Sequence, residues 1–111
     1  MNDSTNADFL WVTHSDDLSK LANQWRSLDA LFIDTEFHRE KTFYPELALI
    51  QIFDGQQCYL IEPDAADHCS PFIELLTLSS LRKVFHSASE DCEVLYRRFQ
   101  CRLVNLWDTQ I

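Results

Sequence analysis

The segment Leu31-Phe32-Ile33-Asp34-Thr35-Glu36-Phe37 is an apolar run that ends in two carboxylates. Such a run of Leu, Phe and Ile indicates a buried β-strand. Side chains two residues apart along a strand share a face, so Asp34 and Glu36 point the same way with Cα atoms about 7 Å apart. Two like charges on one face repel, and a divalent cation would remove that cost. The pair is therefore a candidate metal site, although acids at a strand end also commonly begin a solvated loop or cap a helix.

Composition places the chain among single globular domains. It has 111 residues, of which 46% are hydrophobic and 13% aromatic, enough for one core. Its formal charge of −9 argues against unspecific binding of polyanions, because phosphate backbones are normally met by clustered Lys and Arg. An acidic balance is instead consistent with a protein that holds cations on carboxylates.

Cysteine usage and the N-terminus favour a cytoplasmic setting. The four cysteines have wide, irregular spacings without a CxxC pair, so neither a zinc ribbon nor a redox motif is indicated. Residues 1–8 are expected to be a disordered lead and do not have the pattern of a signal peptide. No apolar run approaches membrane length, so no membrane partner is expected. Free cysteines in a reducing compartment follow from this interpretation.

The hydrophobic pattern predicts an α/β domain over residues 9–111 with a mixed sheet. Three strands in sequence from residue 31 form an antiparallel meander, and right-handed βα crossovers follow. Ser15, Ser70 and Ser87 are predicted to cap the helices, and Ser87 with Glu90 has the spacing of a capping box. The predicted strands are 9–12, 31–37, 47–53, 58–61, 83–86 and 103–107, and the predicted helices begin near residues 15, 70 and 87.

The last of these helices, residues 87–99, supplies a third acid. Asp91 lies three residues after Ala88 and four before Leu95, so it borders the apolar stripe of the helix. Glu93 is explained by an ion pair with Arg97 four residues later. Asp91 has no such local partner. It is either an acid that favours the helix dipole or, opposite the strand that ends in two carboxylates, the third member of a metal-binding cluster.

Four motifs in order carry a family resemblance. They are Asp34-Thr35-Glu36-Phe37, then Tyr44-Pro45-Glu46-Leu47-Ala48-Leu49-Ile50-Gln51-Ile52 with Phe53-Asp54-Gly55, then His86-Ser87-Ala88-Ser89-Glu90-Asp91, and last Asp108-Thr109-Gln110-Ile111. From about residue 9 to the last residue, the chain resembles the ribonuclease D family of DEDD 3′-5′ exonucleases. The resemblance implies a ribonuclease H-like fold with a five-stranded mixed sheet. It also implies an exoribonuclease that acts on RNA 3′ ends, with tRNA precursors as the expected substrates.

The resemblance assigns catalytic and metal-binding roles to the three acids. It implies that Asp34 bridges two divalent ions, that Glu36 holds the ion that activates water, and that Asp91 helps to hold the second ion. Mg²⁺ or Mn²⁺ is expected, because hard cations prefer oxygen ligands. Two such ions about 4 Å apart stabilise both the attacking and the leaving oxygen in phosphodiester hydrolysis.

Five further residues are weaker candidates for substrate contacts. An aromatic side chain can stack on a terminal base, although aromatics beside a buried strand are more often core residues. Gln51 is either a substrate contact or a satisfied sheet residue, and imidazole is a poor ligand for Mg²⁺, which favours a structural role for His86. The five candidates are Thr35, Phe37, Tyr44, Gln51 and His86.

The sequence departs from the family pattern in one respect. The third exonuclease motif, a Tyr or His followed by the fourth Asp, is expected beyond Asp108, which itself is expected to cap a following helix. The chain is therefore predicted to be the amino-terminal part of a longer nuclease and inactive alone. Apolar residues in 103–107 then lose their cover, which favours self-association. Two alternatives stay open: a non-catalytic ribonuclease H-like module that binds nucleic acid or protein, and a DNA 3′-5′ exonuclease.

Overall fold

A computed structural model describes residues 9–39 and 45–110, so the predicted lead over residues 1–8 lies outside the described part. The strands and helices alternate along most of the chain. In chain order they are β1 (Phe9–Val12), α1 (Ser15–Trp25), β2 (Ala30–His38), β3 (Glu46–Phe53), β4 (Cys58–Ile61), α2 (Pro63–Asp67), α3 (Ser70–Thr77), β5 (Arg82–Phe85), α4 (Ser89–Phe99) and β6 (Leu106–Asp108).

The strands form one mixed sheet in the order β1-β4-β3-β2-β5-β6. Strands β2, β3 and β4 are the predicted antiparallel meander, and β5 and β6 add to it in parallel on the β2 side. The predicted α/β class with a mixed sheet is confirmed. The sheet has six strands rather than five, because the N-terminal strand Phe9–Val12 pairs in parallel with β4 and becomes an edge of the same sheet.

The two faces of the sheet differ in cover. Along β2, Leu31, Ile33 and Thr35 are buried, whereas the residues between them are exposed. The buried face shares one core cluster with apolar side chains of α1, α3 and α4. On the opposite face, which we call the open face, Phe32 is 47% exposed and contacts the ring of Phe53 with centroids 6.0 Å apart. The alternation predicted from the sequence thus separates a packed side from an accessible one.

A β-bulge follows the acid pair. Glu36 pairs with Leu49 and Phe37 with Leu47, so Ala48 is an extra residue in β3. Bulges bend a strand and increase its local twist, and they redirect the side chains beside them. The ladder between β2 and β3 is therefore irregular directly after Glu36.

Two predicted helix caps are displaced. The N-cap of α1 is His14, and the Ser15 hydroxyl instead donates to the Ala65 carbonyl at 2.7 Å, which ties α1 to α2. The N-cap of α3 is Cys69 rather than Ser70. The short helix α2 (Pro63–Asp67) was not predicted, because five residues are too few to show a helical period.

The predicted capping box at α4 is wrong. Ser87 has a positive φ of 64° and precedes the N-cap Ala88, and no side chain of the helix caps its first turn. Glu90 pairs with Arg39 instead of reaching back along its own helix. The last strand is also shorter than predicted, because β6 begins at Leu106 and residues 101–105 are irregular.

All four cysteines are free, and Cys69 is buried in the core, as predicted. The expected absence of a membrane span was also tested. In residues 9–39 and 45–110, no helix combines the length and the apolar character needed to cross a bilayer.

Lys83 of β5 is fully buried and joins two loops. Its Nζ donates to the carbonyls of Leu78, Leu81 and Val104 at 2.5, 2.7 and 2.9 Å. These acceptors lie in the segments before β5 and before β6, so one ammonium group fixes the loops that lead into both strands. Burial lowers the pKa of Lys83 to about 8. An ammonium has three donors, and here each has an acceptor.

We predict that Lys83→Met lowers the free energy of unfolding by roughly 2 to 4 kcal/mol, because the substitution keeps the volume but leaves three carbonyls without their donor. Urea unfolding followed by circular dichroism measures the change. Lys20→Met on the exposed side of α1 is the control and should shift the free energy by less than about 0.5 kcal/mol. Equal stability of the two variants would contradict the role given to Lys83.

Candidate active site

Two of the predicted catalytic acids lie on the open face at the end of β2. The side chains of Asp34 and Glu36 are both exposed, and the residue between them, Thr35, points to the buried face. Asp34 stands opposite Gln51 in the β2–β3 ladder. The backbone N–H of Thr35 donates to Asp34 Oδ1 at 3.0 Å, which orients that carboxylate.

The third predicted acid, Asp91, is buried in the first turn of α4 with 5% of its surface exposed. Its Oδ1 accepts a hydrogen bond from the Thr35 hydroxyl, so α4 is joined directly to the strand that carries the other two acids. Burial raises the pKa of Asp91, the bonds from Thr35 oppose that rise, and the negative charge of Asp34 adds to it. The packed orientation predicted for Asp91 from its helical spacing is therefore confirmed.

The three acids are not grouped together as metal ligands in the part of the chain that the structure describes. Within residues 9–39 and 45–110, no group of three or more His, Cys, Asp or Glu side chains is arranged closely enough to hold a metal ion. Asp91 approaches β2 from the covered side, while Asp34 and Glu36 project from the open side. The acids therefore reach the end of β2 from opposite faces of the strand.

The chemistry of these donors nevertheless fits a divalent cation. The candidate ligands are carboxylate oxygens, which hard cations prefer. A buried carboxylate whose pKa is raised partly by a second carboxylate is a site where a positive charge is favourable. Asp34 and Asp91 meet this condition, and Glu36 lies on the same face as Asp34.

A cavity of about 420 Å³ adjoins Asp34 on the open face, a size within the usual range of small-molecule sites. The His86 Nδ1 lies 3.0 Å from the Thr109 Oγ1, and that hydroxyl donates to the Phe85 carbonyl at 3.2 Å. The hydroxyl has one proton and donates it to Phe85, so it accepts a hydrogen bond from His86 Nδ1. The cavity is lined by Phe32, Asp34, Gln51, Phe53, His86 and Thr109, among others.

The weaker substrate candidates separate into two groups. Gln51 and His86 line the cavity beside Asp34. Thr35 does not face it, because a residue between two exposed acids must point to the other side of the sheet, and its hydroxyl bonds Asp91 instead. Phe37 is half-buried and packs against the core. Tyr44 lies outside the described residues.

Asp108 has a role that the sequence did not reveal. Its carboxylate accepts the backbone N–H groups of Ser87 at 2.9 Å and Ala88 at 2.8 Å, and also that of Gln110 at 2.9 Å. These backbone bonds lower the pKa of Asp108. Only the bond to Gln110 resembles the predicted cap of a following segment. The other two hold the loop that leads into α4, from 21 and 20 residues away in sequence.

Comparison with known proteins decides the family. A family model described as a 3′-5′ exonuclease matches residues 9–111, nearly the whole chain. The chain belongs to the 3′-5′ exonuclease family. The resemblance drawn from the four motifs is thereby confirmed, and this family of exonucleases generally uses divalent metal ions.

Curated relatives of this 3′-5′ exonuclease chain are ribonucleases D. The protein from Musicola paradisiaca is 40% identical over 100 residues, which are 90% of this chain and 27% of that protein. The protein from Escherichia coli is 39% identical over 104 residues, which are 94% of this chain and 28% of that protein. The chain thus spans about a quarter of the length of these relatives.

Solved structures share the fold of this exonuclease-family chain. The crystal structure of Escherichia coli RNase D, described as an exoribonuclease involved in structured RNA processing, matches with a TM-score of 0.86 at 39% identity. The match covers 92% of this chain and 27% of that one. The catalytic core of RRP6 from Trypanosoma brucei matches with a TM-score of 0.81 at 25% identity. The expected ribonuclease H-like class is confirmed by these neighbours.

We predict that Asp91→Asn stabilises the chain at pH 7 in the presence of a chelator, by on the order of 1 kcal/mol. A carboxyl whose pKa is raised on folding destabilises the folded state once the pH exceeds that pKa, and the cost vanishes below the unfolded value near 3.8. Thermal unfolding at several pH values measures the difference, which should shrink as the pH falls.

Asp108→Asn provides the matched comparison, with the opposite sign. The pKa of Asp108 is lowered on folding, so its ionised form stabilises the chain above the unfolded pKa and that contribution is lost as the pH falls. The variant should therefore be less stable than wild type at pH 7. Destabilisation by Asp91→Asn at neutral pH would contradict the proposed electrostatic cost.

Proposed function

We propose that this chain contributes part of the metal-dependent active site of a 3′-5′ exoribonuclease, and that residues 9–111 are the amino-terminal part of its exonuclease domain. The observation that carries the proposal is the buried Asp91, which is bonded to the strand of Asp34 and Glu36 and whose pKa is raised partly by Asp34. The match of the exonuclease family model over residues 9–111 supports it.

In this proposal Asp34, Glu36 and Asp91 are the metal ligands. Bound Mg²⁺ or Mn²⁺ ions supply an activated water and stabilise the leaving 3′ oxygen when present. The chain itself orients the ligands: the Thr35 N–H fixes Asp34, and the Thr35 hydroxyl fixes Asp91. A single residue between the two acids of β2 thus positions groups on both sides of the strand.

The proposed substrate is the 3′ end of RNA, with tRNA precursors as the physiological class and the cytoplasm as the setting. Similarity to ribonucleases D supports this choice. Gln51 and His86 are proposed as substrate contacts, because both line the cavity beside Asp34. Self-association is a further proposal, supported by exposed apolar side chains at Val104, Leu106 and Trp107.

We predict that the chain binds Mn²⁺ and that Asp34→Asn weakens the affinity by roughly tenfold or more, because the affinity of oxygen-ligand sites depends on the number of charged ligands. Isothermal titration calorimetry of the two proteins measures this. Asp29→Asn, which changes an acid before β2, is the control and should bind like wild type. Equal affinities of wild type and Asp34→Asn would favour the non-catalytic scaffold.

We predict that residues 1–111 alone hydrolyse RNA slowly or not at all, because the fourth acid of the family is not found among them. A protein expressed from the complete open reading frame should shorten a 3′-hydroxyl RNA oligonucleotide in the presence of Mn²⁺. It should act more slowly on the matched 2′-deoxy oligonucleotide, since the 2′-hydroxyl distinguishes RNA from DNA. Asp34→Asn should abolish both reactions. A preference for the deoxy substrate would identify a DNA exonuclease.

A further inference from the structure

An ion pair links the two elements that carry the acids. Arg39 Nη2 lies 2.6 Å from Glu90 Oε2. Arg39 follows the last residue of β2, and Glu90 lies in the first turn of α4, directly before Asp91. The pair therefore connects the end of the Asp34 and Glu36 strand with the turn that holds the third acid.

The first turn of α4 depends on such partners from elsewhere in the chain. No side chain caps it, and Ser87 enters it with a positive φ. Asp108 fixes the incoming backbone, Thr35 holds the Asp91 carboxylate, and Arg39 holds Glu90. Of these three side chains, Arg39 is the one that reaches the turn from just beyond the last residue of β2, after the bulge that follows Glu36.

The ion pair also compensates a negative charge beside Asp91. Glu90 is the residue directly before Asp91, and the Arg39 guanidinium stands against its negative charge at hydrogen-bond distance. The two side chains are 48% and 55% exposed, so water screens the pair and it contributes little to global stability. Its effect is therefore expected in the local geometry of the turn rather than in the stability of the fold.

We propose that Arg39 is a positioning residue of the metal site: through Glu90 it holds the first turn of α4 against β2 and so places Asp91 relative to Asp34. The inference rests on the proposed function, because it takes Asp34 and Asp91 as ligands. Arg suits the role better than Lys, because its planar guanidinium fixes the direction of the bond as well as the charge.

The direction in which Arg39→Gln changes the Mn²⁺ affinity distinguishes a positioning role from a purely electrostatic one. If Arg39 acted only as a nearby positive charge, Arg39→Gln would strengthen Mn²⁺ binding, because a cation repelling the metal is removed. If Arg39 positions Asp91, Arg39→Gln weakens Mn²⁺ binding, by roughly two- to tenfold, with unchanged thermal stability. Arg39→Lys should recover part of the affinity. The double variant with Glu90→Gln should bind like Glu90→Gln alone, because both substitutions break the same link.

A second measurement is independent of the metal. The amide of Cys92 donates to the Ala88 carbonyl at 2.8 Å, the first hydrogen bond of α4. Arg39→Gln should raise its hydrogen-exchange rate by roughly two- to fivefold, with no change at Leu18, whose amide makes the first bond of α1. Glu93→Gln is the control variant, because Glu93 pairs with Arg97 within α4 and does not reach β2.

Each outcome has a distinct meaning. Unchanged exchange at Cys92 in Arg39→Gln overturns the inference, whether or not the chain binds metal. Faster exchange with unchanged or stronger Mn²⁺ binding also overturns it, since the link would then be structural only. Absence of Mn²⁺ binding by wild type would defeat the proposed function and with it the metal-positioning role, and the exchange data would then report only on the link between Arg39 and α4.

Discussion

The contact on which the site depends is the hydrogen bond between the Thr35 hydroxyl and the Asp91 carboxylate. A carboxylate removed from water is costly unless hydrogen bonds or opposite charges replace its hydration. Here Thr35 supplies the bond, but the charges that affect Asp91 are the negative charges of Asp34 and Glu90. The folded chain therefore holds an electrostatic cost at this point. A cost of this kind, at the junction of strand and helix, is typical of a functional site, because a core selected for stability alone would avoid it.

The sheet makes this arrangement possible because its covered face packs into the core while its open face carries the acids. On the covered face, β2 packs Leu31, Ile33 and Thr35 into the core, and on the open face the same strand presents Asp34 and Glu36. Because side chains alternate between the two faces of a strand, the same few residues can pack into the core and present carboxylates on the other face. The bulge directly after Glu36 interrupts the ladder, so the two acids lie on the regular part of the strand just before an irregularity.

The sequence predicted those features that depend on local periodicity. Alternation in residues 31–37 gave the faces of Asp34 and Glu36, and the spacing from Ala88 to Leu95 gave the burial of Asp91. Features that depend on distant partners were not predictable in this way. The hydroxyl of Ser15 bonds Ala65 across 50 residues rather than its own helix, and Glu90 bonds Arg39 across 51. The motif makes Thr35 a candidate substrate contact, although the same alternation that exposes its neighbours requires it to point inward.

The start of α4 shows why site and fold cannot be separated in this molecule. A helix with its own cap could hold Asp91 at a fixed place in its first turn even when its surroundings change. Here the turn has no such cap, and the positive φ of Ser87 is an unfavourable backbone conformation for a residue with a side chain. Bonds from Asp108 of the last strand offset that cost. Because Asp108 lies in β6, which pairs with β5, the position of Asp91 depends on that edge of the sheet as well. The position of Asp91 is therefore a property of the assembled sheet rather than of the motifs alone.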